Sequence, residues 1–336
     1  AYAGFGNKKF SWTNSIRYKS NRYLLGTLDT KGEYDPQFID YQTFISWRPS
    51  KRWEVGFIGN ISENKYIFQP EDRTTRFGTL ESAREFKVYF DGQERDLFRT
   101  FFGAANATYN FDESNSLTFQ ASAFQTKEQE TYDISGQYWL NELDSSGEDS
   151  DTETGETIGV GTYMEHARNY LNAKVQSYSF TGRHRIKRHA VQWGLELKTE
   201  RIKDKLREWE MRDSAGYSLP QVPDGPELIY SLSSKNDINS SRLSLYAQDS
   251  YKFQTGAGLF TLTAGIRGSY WSWNKEFIVS PRASLALIPK LNEKFTIRVA
   301  AGVYYQAPFY KEFRDTTMVN GMATVTLNKN IKSQRS

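Results

Sequence analysis

The sequence predicts an all-β fold, an antiparallel transmembrane β-barrel, and three observations predict it. Apolar and polar residues alternate with period two over unusually long segments, which helices cannot produce. Tight polar turns take turns with long irregular connections along the chain. Aromatic residues are abundant, with 21 Tyr, 22 Phe and 8 Trp in a chain that is only 38% hydrophobic. That mixture is expected when neighbouring side chains face opposite environments.

The elements follow in chain order. From Ile39 to Trp47 the outward set is Ile39, Tyr41, Thr43, Ile45 and Trp47, and only Phe44 interrupts the polar set Asp40, Gln42 and Ser46. Trp53, Val55, Phe57, Gly59 and Ile61 then alternate with Glu54, Gly56, Ile58, Asn60 and Ser62. The cleanest case sets Val191, Trp193, Leu195 and Leu197 against Gln192, Gly194, Glu196 and Lys198. Just beyond it, a helix would stack Glu200, Asp204 and Glu208 as like charges four apart, and Arg201 over Lys205. A strand continuing past the membrane lets cross-strand partners pair those charges. Phe260, Leu262, Ala264 and Ile266 alternate with Thr261, Thr263, Gly265 and Arg267, and Phe295, Ile297, Val299 and Ala301 with Thr296, Arg298, Ala300 and Gly302. Soluble strands usually run about 5–6 residues, whereas a tilted strand crossing a bilayer needs roughly 9–11.

Short turns are expected at Pro49–Arg52, Asp112–Asn115, Ile186–Arg188, Thr255–Ala257 and Leu291–Glu293. The connections at 20–37, 69–95, 131–167, 212–239 and 307–327 are long, and only the one at Asn274 and Lys275 is short on that side. Outer-membrane barrels sort their connections this way, with short periplasmic turns and long extracellular loops. The count is about eleven strands in one partial barrel domain over 1–336. Single-chain bacterial barrels close with even numbers of strands, so the expectation is an incomplete barrel. Trp47 and Trp53 around one turn, with Tyr109 and Phe111 before the next, read as an interfacial girdle. AYAGFGNKKF has no apolar core of a signal peptide.

Several functions are disfavoured. Lys and Arg number 43 against 40 Asp and Glu, which gives no sustained positive field for nucleic acid. The chain has no Cys, and only His166, His184 and His189 supply imidazole, so no metal site and no cofactor is expected. The acidic stretch Leu143–Glu156 fails the spacing of a calcium loop and reads as a solvated extracellular loop. Arg183, Arg185, Lys187 and Arg188 sit at a tight turn and read as solvated or headgroup-facing. No nucleophile–base pair, zinc signature or phosphate loop appears, so no catalytic residue is expected and the protein is not expected to be an enzyme.

Near the C-terminus, SPRASLALIPKLNEKFTIRVAAGVYYQAPFYKEFRD reads as strand, tight turn and second strand, and then Gln306, Ala307, Pro308 and Phe309 are followed by Lys311 and Glu312. This resembles the TonB-dependent receptor pattern, in which an Arg-Ala-Pro-Ser-like signature precedes a Lys-Glu or Glu-Leu pair. Glutamine replaces the usual arginine. LNKNIKSQRS is similar to the family's segment before the next barrel strand, and LSLYAQDSYKF and FTLTAGIRGSYW resemble its Tyr-x-Gln-Asp and Gly-x-Arg strands. The resemblance implies a barrel of about 22 strands plugged by an N-terminal domain.

It also implies function: uptake of a nutrient or metal chelate through the plugged barrel in the bacterial outer membrane of a Gram-negative cell. The implied partners are outer-membrane lipid and lipopolysaccharide, and periplasmic TonB acting through the plug. A surface lipoprotein or larger outer-membrane complex belongs to the alternative, a non-transporting structural barrel subunit. From the alternation, Arg267, Arg282 and Arg298 line a polar lumen, while Leu285, Leu287, Ile297 and Val299 face lipid. Arginine in a lumen favours anionic ligands. Gln306, Tyr310, Lys311 and Glu312 complete the candidate lumen contacts, and Pro308 ends a strand by removing a donor.

Overall fold

A computed structural model describes residues 1–21, 32–79, 82–143, 154–214, 225–292 and 294–336. The first strands are β1 (Tyr2–Gly6), β2 (Phe10–Ser20), β3 (Gly32–Tyr34), β4 (Gln37–Trp47), β5 (Trp53–Pro70) and β6 (Arg73–Thr79). Long strands follow, β7 (Ser82–Asn110), β8 (Asn115–Leu143), β9 (Thr154–Ile186), β10 (His189–Ser214) and β11 (Glu227–Thr255). Next are β12 (Gly258–Trp271), β13 (Glu276–Pro289), β14 (Ile297–Gly302) and β15 (Tyr305–Gln306). After a 3-10 turn at Tyr310–Phe313 come β16 (Arg314–Val319), β17 (Met322–Leu327) and β18 (Gln334–Arg335).

Twelve strands form one antiparallel path in sequence order, β1-β2-β4-β5-β7-β8-β9-β10-β11-β12-β13-β14. That is one more than the turn count suggests. The extra strand, β1, is folded onto β2 by Asn7, whose Oδ1 accepts the backbone N–H groups of Lys9 and Phe10 at 2.8 and 2.9 Å. The predicted tight turns at Pro49–Arg52, Asp112–Asn115, Ile186–Arg188 and Thr255–Ala257 are where the sequence places them, and Glu293 of the fifth lies outside the described residues. In one, Asp112 accepts the N–H of Ser114 at 2.7 Å and the Asn115 amide at 2.8 Å. In another, Lys187 turns the chain from β9 to β10 in the left-handed region, with φ of 54°.

The other ends differ from expectation. Most described residues of 69–95, 131–167 and 212–239 are not irregular loops but continuations of the sheet, so β7, β8 and β11 each run 29 residues. Those stretches interrupt short alternations such as Phe86–Phe90 and Leu228–Leu232 with Gly, Asp and Ser, as at Asp91-Gly92 and Ser233-Ser234, and such a mixture reads as loop in a sequence. Their charges are paired across and along strands, as where Glu85 meets Arg76 at 2.9 Å and Lys87 at 2.8 Å. The stretch after Leu197 is strand, as its charge pattern requires. Segment 307–327 holds the 3-10 turn and the β16–β17 hairpin, and most of 20–37 and of the acidic stretch Leu143–Glu156 lies outside the described residues.

Register sorts the side chains into two faces. Leu195 stands opposite Phe180 on β9 and Leu245 on β11, and Phe180 opposite Phe119 on β8. Leu262 stands opposite Leu285, and Leu285 opposite Val299. This face is bare: Leu245 is 56% exposed, Ile266 54% and Val299 71%. The opposite face buries Asp40, Asp204, Ser240, Ser244 and Ser280. Apolar outside and polar inside is the reverse of a soluble fold and the arrangement of a sheet solvated by lipid. Around the tight turns the apolar face ends in aromatic pairs, Trp53 with Tyr109 at 5.0 Å and Phe253 with Phe260 at 5.3 Å.

Candidate ligand-contact site on the polar face

Residues 303–336 fold back across the polar face of β10 to β13. Phe313 is buried against Trp271 and Trp273, at ring distances of 5.5 and 5.7 Å, and belongs to an apolar cluster with Ile202 and Ile238. Trp273 donates from Nε1 to the Asn328 carbonyl at 3.1 Å, and Asn274 to that of Ile331 at 2.6 Å. Glu276 accepts both the N–H and the hydroxyl of Ser333, at 3.0 and 2.7 Å. The segment thus roofs a cavity of about 420 Å³ walled by β10 to β13 and closed by Tyr304, Tyr305, Ala307 and Ser333.

Four cations and two carboxylates line that cavity: Lys198, Arg242, Arg267 and Arg282 against Glu196 and Glu276. Arg267 donates to Glu196 at 3.3 Å. The Arg242 guanidinium lies over the Trp271 ring at 4.2 Å, and Arg282 lies 5.8 Å from the Tyr304 ring centre. Cations held against aromatic faces keep their charge while losing water. The balance suits an anionic group.

Of the residues named from sequence, Arg267, Arg282 and Ala307 meet here. Arg298 is on the same face but donates to Ser284 at 3.3 Å outside the cavity. Gln306 pairs with Gln334 in the small β15–β18 ladder. Tyr310 and Lys311 line a second cavity of about 330 Å³ higher on the wall. Glu312 holds its own turn, accepting the Phe309 N–H at 2.7 Å, so its role in the described structure is local. Phe309 is exposed, and Pro308 lies just past the end of β15, the position of a ladder terminator.

Arg242 and Trp271 escaped the sequence reading, and Glu196 and Lys198 were read as polar-face residues without being named as ligand contacts. The signal was present, because Arg242, Ser244, Tyr246, Gln248 and Ser250 form the polar half of the β11 alternation. Ser333 had no such signal, since only the fold-back brings it to Glu276.

Nor is the polar face lined by arginine throughout. Beyond the membrane band it turns acidic, with Glu94, Asp96, Glu130, Glu165 and Glu208 beside Tyr132, Tyr163 and Tyr230. Burial, reinforced by Asp96 and Glu130, raises the Glu94 carboxyl above the usual range, and burial with nearby glutamates pushes the Tyr132 phenol up to about 12. The arginines named for an anion-favouring lumen, Arg267, Arg282 and Arg298, all lie outside this acidic stretch.

Residues 40–336 match the family described as TonB dependent receptor-like, beta-barrel. The chain belongs to that family. No relative was found among curated proteins. A solved structure similar to this chain is the translocator domain of autotransporter NalP from Neisseria meningitidis, at 9% identity and a TM-score of 0.33, covering 89% of this chain and 83% of that one.

Proposed function

We propose that this barrel carries a nutrient or metal chelate across the bacterial outer membrane, drawing on periplasmic TonB through a plug domain, and that the barrel itself performs no catalysis. The observation that supports an anionic ligand is the cavity with Arg242, Arg267 and Arg282 on its wall. A cluster of arginines on a cavity wall stabilises carboxylate or phosphate groups by charge-assisted hydrogen bonds. In this reading the ligand enters past the acidic upper wall, which disfavours bare anions and favours zwitterions or anions carried with a metal.

Uptake by cells expressing the full-length protein tests the proposal, with a panel of labelled ferric chelates and oligosaccharides, anionic and neutral. Accumulation that needs TonB and prefers an anionic member supports it. Arg267→Ala with Arg282→Ala then raises the apparent Kd about tenfold, at roughly 1.4 kcal/mol per decade. Accumulation indifferent to TonB contradicts it. So does an absence of uptake with stoichiometric co-purification of surface proteins, which marks a structural subunit.

A further inference from the structure

The lipid-facing side of β7 to β11 changes character just past its apolar band. Leu197 stands opposite Tyr178 and Leu243, still apolar. Two rows further from the tight turns, Arg201 stands opposite Lys174 on β9. In the next row Lys203 faces Asn172, which faces Lys127, which faces Arg99. One row beyond, Lys205 stands directly opposite Lys235 on β11. Five of these cations, Arg99, Lys127, Lys203, Lys205 and Lys235, ring a depression of about 610 Å³ that also includes Leu97, Tyr170 and three carboxylate residues, Glu128, Asp204 and Asp237.

The cluster is not neutralised from within. Asp237 serves both Arg201 and Lys203, at 3.6 and 3.8 Å, and Glu63 holds Arg99 at 2.6 Å. Among the described residues, Lys127, Lys174, Lys205 and Lys235 have no ion-pairing carboxylate. Like charges directly opposite on a sheet destabilise it, so Lys205 against Lys235 calls for a counter-anion from outside the chain. A ligand passing through the barrel would meet the polar face, whereas these lysines share their face with Tyr178, Leu197 and Leu243. The anion must therefore be one that sits beside hydrocarbon.

We infer that this depression binds a phosphate-bearing lipid headgroup of the outer leaflet, with the lysines on the phosphates and the acyl chains against Tyr178, Leu197 and Leu243 below. Lysine suits that ligand as a point charge that reaches phosphate from several directions, and basic residues bordering a membrane span draw anionic headgroups. The inference rests on the outer-membrane placement proposed above and adds where, and through which residues, the lipid is held.

The test uses the full-length protein in phosphatidylethanolamine nanodiscs doped with an acylated glucosamine disaccharide, either diphosphorylated or dephosphorylated, with bound lipid counted by native mass spectrometry. The wild type is expected to retain the diphosphorylated lipid at least tenfold better, and Lys127→Gln, Lys174→Gln, Lys205→Gln and Lys235→Gln together to abolish that preference. The same four positions changed to Arg should keep it, and heat-dependent gel mobility reports whether each variant is folded. Equal retention of both lipids by the wild type overturns the inference even if the glutamine variant does not fold. So does an unchanged preference in the folded glutamine variant, or displacement of the lipid by inorganic pyrophosphate at equal concentration. Absence of the protein from the outer-membrane fraction would instead remove the functional proposal.

Discussion

Asp204 is almost fully buried on the polar face, where Arg314 donates to its Oδ2 at 3.0 Å and Asn236 to the same oxygen at 3.1 Å. Arg314 comes from the fold-back segment, so this pair ties that segment to β10. Removing one partner of a buried pair strands the other charge, at a cost of about 3–5 kcal/mol. Arg314→Met is therefore expected to release 303–336 locally, seen as faster amide exchange at Arg314–Leu327 with β12 and β13 unchanged. Protonation should act in opposite directions at two places on the β7–β8 hairpin. Lys87, then Arg76, hold the Glu85 carboxyl below its ordinary range against the opposing effect of burial. Its contribution is present above the unfolded pKa and lost as pH falls through the lower folded value. Burial and neighbouring acids raise Glu94 and Asp96, so their protonated forms favour the fold and acidification tightens that part. Amide protection, with exchange corrected for its intrinsic slowing in acid, should fall around Glu85 and rise around Glu94 between pH 6 and pH 3. The same direction at both sites would show that local ion pairing does not govern the hairpin.

At the level of single strands, a charge on the lipid-facing side of a membrane-spanning stretch is costly, and lipid exposure sets that cost. Arginine on a lipid-facing position near mid-membrane costs about 2–4 kcal/mol. Leu245→Arg should destabilise folding into vesicles by that amount, while Gln248→Arg, three residues away on the polar face, should change it little. Urea titrations of both variants check this. Cross-strand fit matters as well. Gly194 is opposite Tyr246, whose ring covers it so closely that a Cβ would collide. Tyr246 in turn accepts from Gln192 at 3.1 Å. Gly194→Val should displace the ring and cost about 1 kcal/mol, the upper end of a cross-strand pair. These strands were legible in the sequence where one face meets hydrocarbon, because lipid forces alternation on Val191–Leu197 and Phe260–Ile266. Their outer halves were not, since Asp91-Gly92-Gln93 and Ser233-Ser234-Lys235 break the short alternations of Ser82–Arg95 and Glu227–Asn239. The cavity was half legible: alternation exposed Arg267 and Arg282, but nothing local announces that Ser333 and Tyr304 come to lie over them.

Across the whole molecule, two faces with opposite solvents carry both the fold and the function. The apolar face explains why large side chains such as Val299 stand bare, and the polar face gathers the charges a ligand can meet. Unpaired backbone groups in hydrocarbon cost several kcal/mol each, so a lipid-solvated sheet has to satisfy its edges, here β1 and β14. These 336 residues hold no cysteine, so cysteines introduced among them make the two-face arrangement directly measurable once any cysteine elsewhere in the full-length protein is replaced. Single cysteines placed in turn from Arg242 to Gln248, in the full-length protein in outer membranes, can be probed with a water-soluble thiol reagent and a bilayer-confined quencher. Labelling by the reagent is predicted at Arg242, Ser244, Tyr246 and Gln248, and quenching at Leu243, Leu245 and Ala247. Uniform labelling along the strand, or quenching on both parities, would contradict the account.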